Sequence, residues 1–392
     1  MKNPSCFRNL ALVAAILLTF ASLRLAMADD IDWTKARQLF QKQQSGQSLT
    51  PEEQAYLDKA KAARAAGAVP TPAPGATVKA PGSPNATAPS NMNVPPPTPQ
   101  TGLIPLTDLT GDYKGEDGGL YGKGQNTPPP ELAAAAKVQT AKIQPLDAQG
   151  KPSPDGKIVL LSIGMSNTTM EFSTFVPLAN ADPSKSPKLV IVDGAQGAQS
   201  ADKIATNSAP FWGIIDQRLR AAGVTPQQVQ VLWIKEAIPR PTGGFPAEMI
   251  KLKDALIDDI HVAQGRYPNL RIAYLSSRTY GGYAMTPTNP EPYAYETAFA
   301  DRWVIEAQMK DEPKLNYDPA KGDVKAPLVL WGPYLWADGV KGRKIDSLVW
   351  NREDFVQDGT HPSQTSGAQK VAGLLLAFFK TDPNTQTWFL SK

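Results

Sequence analysis

Between Lys157 and Trp331 the chain repeats one pattern: a short apolar run, then a longer stretch with helical spacing. The runs are Ile158–Leu161, Leu189–Val192, Val229–Ile234, Leu270–Leu275 and Leu328–Leu330. Helical segments are predicted near 200–221, 245–264 and 293–310, with a last one near 364–380. Runs that are apolar at successive positions belong to strands covered on both faces, and the intervening helices supply the crossovers that parallel strands need. The pattern predicts an α/β domain over 157–392, a parallel sheet between helical layers. In such sheets functional groups gather just past the C-terminal ends of the strands.

Residues with chemical potential fall in those places. Gly164-Met165-Ser166-Asn167 follows the first run, so Ser166 stands at a strand-to-helix turn. There its hydroxyl is exposed, and its own amide can face a developing oxyanion. A serine needs a base to take its proton. Asp358-Gly359-Thr360-His361-Pro362 precedes the last helix and offers one. Asp358 and His361 are close enough on one tight loop for the carboxylate to fix the imidazole tautomer. The other histidine, His261, sits in a helix after Asp258-Asp259 and reads as structural.

These two blocks resemble the SGNH/GDSL hydrolase superfamily. Gly164-Met165-Ser166-Asn167 is similar to the nucleophile block of its carbohydrate acetylesterase and sialate O-acetylesterase branches, and Asp358 to His361 resembles the terminal Asp-x-x-His block. The resemblance spans 157–380 and implies a three-layer α/β/α fold with a five-stranded parallel sheet, flavodoxin-like in its winding. It implies that a glycine amide after the second strand joins the Ser166 amide in the oxyanion hole. Gly197 fits by position, with Gly194 as the second choice. The third block of the family ends in a side-chain amide, whereas this chain has Trp233-Ile234-Lys235-Glu236-Ala237. Lys235 falls where the amide would be, as an oxyanion donor or as a structural partner of Glu236 or Asp193, and Asn167 is the alternative third donor. Residue 165 is Met where classical members carry Asp. Aromatics after the later strands, Tyr280, Tyr283, Trp331, Tyr334 and Trp336, together with Trp233, are candidates for stacking on sugar rings; core packing is the other reading.

The rest of the chain reads as an export and attachment apparatus. Lys2 and Arg8, the apolar stretch Leu10–Leu23 and Ala26-Met27-Ala28 make a signal peptide over 1–28, with cleavage after Ala28. A retained anchor is the alternative. The single cysteine, Cys6, lies within that segment, so the mature chain has no disulfide. Residues 29–67 read as a helical hairpin, a docking module or a spacer. Its second helix opens on a capping box from Thr50 to Glu53, with Pro51 at the first helical position. Residues 68–102, dense in proline, form a semi-rigid linker. Residues 103–156 form an extension packed on the main domain, with a helix over Pro128–Lys142. The acidic stretch Gly111–Gly119 lacks EF-hand spacing and reads as a surface loop. Gly119, Gly122 and Gly124 follow no strand and form no dinucleotide fingerprint.

With 40 basic and 37 acidic residues, and no long run of like charges, nothing points to nucleic acid. Two histidines and one cysteine leave little for a zinc site, and no cofactor or metal is implied. The expectation is a secreted or periplasmic serine esterase. Its partner would be a small-molecule or polysaccharide ester, O-acetyl groups on a glycan foremost, with no stable membrane span after cleavage. The rivals are a degenerate SGNH domain that only binds glycans, and a lipase or thioesterase.

Overall fold

The computed structural model describes residues 31–32, 35–36, 39, 49–65 and 94–391, with side chains of 61–65 left aside. The expected signal peptide and most of the expected linker lie outside the described residues. The chain divides into two units, Met1–Ala88 and Pro89–Lys392. In the smaller one, helix α1 spans Pro51–Ala65. Its start carries the expected capping box: the Glu53 amide donates to Thr50 Oγ1 (3.2 Å) and the Thr50 amide to Glu53 Oε2 (3.0 Å). Ile31, Ala36 and Ala60 form a small buried cluster there, with Tyr56 packed against it.

The larger unit begins before residue 103, because Thr101 and Gly102 are hydrogen-bonded to Asp338. The expected linker therefore ends earlier than residue 102. The acidic surface stretch contains a two-stranded ribbon, Asp112–Tyr113 against Glu116–Asp117. Lys114 and Gly115 take the positive φ values that a tight hairpin turn demands. Its acids are engaged by Arg302, which reaches Glu116 at 2.6 Å and Asp117 at 3.0 Å. Helix α2, Pro130–Thr140, follows.

The main sheet has five parallel strands: β1 Ile158–Gly164, β2 Leu189–Val192, β3 Val229–Lys235, β4 Ile272–Leu275 and β5 Leu328–Trp331. Their spatial order is β2-β1-β3-β4-β5. The helices are α3 Ser166–Ala181, α4 Ala201–Ile204, α5 Pro210–Ala221, α6 Ala247–Arg266, α7 Tyr293–Met309 and α8 Gly367–Thr381. The step from β1 to β2 runs one way across the sheet and the later steps run the other way. Right-handed crossovers then put α3 on one face and α4 to α7 on the opposite one. Helix α8 returns to pack beside α3. On that face Phe172 stacks on Trp233 (5.4 Å between centroids) and Phe378 meets Tyr274 edge-on (5.2 Å). The expected three-layer α/β/α architecture is thus present. The helix expected over 200–221 is two helices, since Pro210 starts a new one, and α3 had no bounds assigned from sequence.

Register sets the level of the site. Gly164 pairs with Lys235 at the C-terminal edge of the sheet, and Leu161 with Val192. The turn carrying Ser166 and the loops following β2, β3 and β4 therefore emerge at one edge.

Candidate active site

The turn after β1 is tight enough to require glycine. A methyl group on Gly164 would lie 2.3 Å from Thr168 Oγ1, whose hydroxyl donates to the Lys235 carbonyl at 2.7 Å. Ser166 is the first residue of α3. Its amide is one of the orphan donors of a helix N-terminus, where the aligned peptide dipoles also favour negative charge.

His361 closes on it from the far end of the chain. Its Nε2 lies 2.6 Å from Ser166 Oγ, across 195 residues. Its Nδ1 lies 2.5 Å from Asp358 Oδ2. The Asp358 carboxylate can only accept, so Nδ1 carries the hydrogen and Nε2 presents a lone pair to the serine hydroxyl. Asp358 Oδ1 accepts from the amides of Thr360 and His361, both at 2.9 Å. Burial alone would raise the Asp358 carboxyl. The hydrogen bonds from the His361 ring and from these two amides outweigh it and pull the group down to about 2. Gly359 is irreplaceable in this loop: its φ is +69°, and a methyl group there would lie 1.7 Å from the Tyr283 carbonyl oxygen. The Met285 amide donates to the Asp358 carbonyl at 2.9 Å.

The loop after β2 lies beside the serine. A methyl group on Gly197 would sit 3.9 Å from Ser166 Cβ. The Gln196 amide donates to the Gly164 carbonyl at 2.9 Å and ties this loop to the serine turn. The Gly197 amide donates to no other described residue. Gly194 differs: its amide donates to Ser162 Oγ at 3.1 Å, so that donor is spent. Asp193, a candidate partner of Lys235 by sequence, instead organises the junction. It accepts from Ser162 at 2.7 Å, from the Ala195 amide at 3.1 Å and, in a very short bond, from Thr169 on α3.

Of the two readings of Lys235, the structure favours the ion pair over the oxyanion donor, with Glu171 as partner in place of Glu236 or Asp193. The Lys235 side chain is 0% exposed, and its ammonium bonds both oxygens of Glu171, at 2.5 and 2.6 Å. Burial pulls that ammonium down to about 8, with Glu171 opposing the drop. A cation held in this way inside the protein is a structural partner of α3, not a donor turned toward substrate. Glu171 was missed because only a bounded α3 would have set it one and a half turns below Ser166. Asn167 is 2% exposed, and its side-chain amide bonds no other described residue.

The aromatic candidates are also corrected. Trp233, Tyr280, Tyr283, Trp331, Tyr334 and Trp336 are all buried. Their polar atoms are used internally. Trp233 Nε1 donates to Ser276 (3.0 Å), Tyr280 to the Thr98 carbonyl (2.9 Å), Tyr283 to the Trp350 carbonyl (3.2 Å) and Trp331 to the Leu120 carbonyl (2.6 Å). Tyr334 accepts from the Leu106 amide (3.0 Å), and Trp336 donates to Glu291 (2.7 Å). None offers a free face. His261 lies on α6 with Nδ1 at 3.1 Å from the Lys325 carbonyl oxygen, away from the serine turn in the fold. Among the described residues, no cluster of His, Cys, Asp or Glu is placed to hold a metal ion, and no helix is long and apolar enough to cross a membrane.

No protein-family model matches the chain, and no curated protein matches it. Solved structures similar to it include a GDSL-like lipase from Bacteroides thetaiotaomicron, at 11% identity and TM-score 0.28, covering 64% of this chain and 95% of that one. The periplasmic domain of a lipopolysaccharide acetyltransferase from Salmonella ser. Paratyphi A is similar at 14% identity and TM-score 0.31, covering 64% and 95%. An extracellular lipase from Streptomyces rimosus is similar at 10% identity and TM-score 0.26, covering 56% and 99%.

Proposed function

We propose that the larger unit is an SGNH-type serine esterase. The observation that carries this is the contact of Ser166 Oγ with His361 Nε2 at 2.6 Å, backed by Asp358 on the other ring nitrogen. In the reaction His361 takes the hydroxyl proton as Ser166 Oγ bonds to the ester carbonyl carbon. The resulting oxyanion is met by the amides of Ser166 and Gly197, with Asn167 as third donor. Collapse expels the alcohol, which leaves with the proton from His361. Water, deprotonated by the same ring, then releases the acid and restores the serine. An assembled Ser-His-Asp set at a helix N-terminus supports hydrolysis over glycan binding alone.

The substrate class follows from the Gly164–Asn167 block and the export signal: O-acyl groups, acetyl foremost, on a glycan or another ester outside the cytoplasm. The test is turnover of p-nitrophenyl acetate, butyrate and octanoate and of acetylated xylan by the purified mature chain, with Ser166→Ala beside it. Acetate release from the glycan that is lost in Ser166→Ala supports the proposal. Wild-type rates in Ser166→Ala would remove the serine mechanism, and a preference for octanoate would point to a lipase.

A further inference from the structure

The segment Val94–Gly102, which composition assigns to the linker, is clamped against the loops that hold the Asp358–His361 loop. The clamp is Asp338, whose side chain is wholly buried. Its Oδ1 accepts from the Thr101 amide (2.6 Å) and hydroxyl (2.7 Å), and its Oδ2 from the Gly102 amide (2.9 Å). The next residue, Gly339, has φ +55°, and a methyl group there would lie 1.8 Å from the Pro99 carbonyl oxygen. That oxygen instead accepts from the Val340 amide at 3.0 Å. A side chain at 339 would push the segment off.

From this clamp two short routes lead to the triad. In the first, the Thr98 amide donates to the Gly282 carbonyl at 2.8 Å, and the Tyr280 hydroxyl donates to the Thr98 carbonyl at 2.9 Å. Tyr283, the next ring, lies edge-on to Tyr280 at 5.2 Å. Its own carbonyl is the surface against which Gly359 is packed, and two residues later the Met285 amide holds the Asp358 carbonyl. In the second route, the Trp350 amide donates to the Gly339 carbonyl at 2.7 Å, and the Trp350 carbonyl accepts from the Tyr283 hydroxyl. Both routes converge on Tyr283, directly beneath the turn that sets the Asp358 carboxylate against the imidazole.

We propose that Val94–Gly102 is a positioning strap for the triad, with Asp338 and Tyr280 as positioning residues that hold the Asp358–His361 loop through Tyr283 and Met285. The role rests on the esterase reading for its kinetic consequence, though not for its structural one. Releasing the strap leaves the sheet and Ser166 in place and lets the base drift from the serine. The strap also marks where a functional catalytic unit must start: by Val94, not near residue 103.

The test uses the full mature chain with Asp338→Asn, Asp338→Ala and Tyr280→Phe, read by kinetics and by amide hydrogen exchange. A small misplacement of a base costs up to about a hundredfold, so kcat is expected to fall about tenfold to a hundredfold with KM within about twofold. Asp338→Asn, which keeps one acceptor oxygen, should retain more activity than Asp338→Ala. In an Asp358→Asn background the strap variants should add little, because they act through that residue. The Thr98 and Met285 amides should exchange faster in each variant, with the β1 and β3 amides unchanged. Faster exchange at Thr98 with wild-type exchange at Met285 and wild-type kcat would overturn the proposal. Tyr280→Phe, which deletes one hydroxyl, keeps the test open if Asp338→Ala does not fold. If the wild-type chain hydrolyses no ester, the esterase reading fails on its own. Met285 exchange then decides the strap: faster supports it, unchanged overturns it.

Discussion

The ammonium of Lys235 is held by both carboxylate oxygens of Glu171, at 2.5 and 2.6 Å, in a part of the molecule where neither side chain reaches solvent. The pair joins the end of β3 to the helix that carries Ser166. Removing one partner of such a pair leaves an uncompensated buried charge, which costs about 3–5 kcal/mol. Lys235→Met should therefore lower the denaturation midpoint strongly. Lys235→Met combined with Glu171→Met should recover most of the loss, since a buried pair can be replaced by apolar side chains at little net cost. A stable Lys235→Met whose only defect is a low kcat would return Lys235 to the oxyanion hole.

The oxyanion assignment now turns on Asn167. Loss of one preorganised donor typically costs about 10²–10³ in kcat, so Asn167→Ala should fall by that order with KM nearly unchanged. Steady-state kinetics on p-nitrophenyl acetate measure it. A wild-type kcat would leave the Ser166 and Gly197 amides as the hole.

The triad predicts a pH profile. Asp358, held down to about 2, stays ionised across the working range, so protonation of this carboxyl should not limit activity near neutral pH. Asp358→Asn should lower kcat by about 10⁴ by favouring the wrong tautomer. The same depressed carboxyl contributes stability that is present above the ordinary value of 3.8 and lost as pH falls through about 2. Acid titrations of unfolding should thus show wild type and Asp358→Asn converging below pH 3.8. Parallel curves down to pH 2 would contradict this.

Glu291 carries the opposite sign. Burial raises its carboxyl to about 7, against the hydrogen bonds from Trp336, Gly281 and Tyr295 that favour the anion. A raised carboxyl contributes stability that is fully present below the ordinary value of 4.5 and lost as pH rises through about 7. The stability of wild type relative to Glu291→Gln should decline between those values in denaturant titrations. A constant difference would show that Glu291 does not titrate there.

Gly359→Ala should be among the most damaging single methyl additions, because it meets both a positive φ and the Tyr283 carbonyl. Gly197→Ala, with 3.9 Å to Ser166 Cβ, should be tolerated. Thermal melting of the two variants compares them, and equal melting points would contradict the loop geometry described above.

Much of this protein is legible in local patterns. Apolar runs such as Val229–Ile234 mark buried strands because a strand covered on both faces has no polar side to show. The capping box at Thr50 and the Asp358–His361 loop are each local: their residues lie three apart and bond within one turn. The pairing of that loop with Ser166 was an inference from topology, since both blocks fall at the C-terminal edge of a parallel sheet. Tertiary structure alone decided the rest. Lys235 meets Glu171 across 64 positions, and Thr101 meets Asp338 across 237. Tyr280 and Trp336 have compositions suited equally to a sugar platform or a core, and which they are depends on what covers them. Proline in 94–102 was read as linker because composition reports only that a segment cannot build its own core. It says nothing of whether a preformed surface, here one buried carboxylate with three donors to receive, will hold that segment in place.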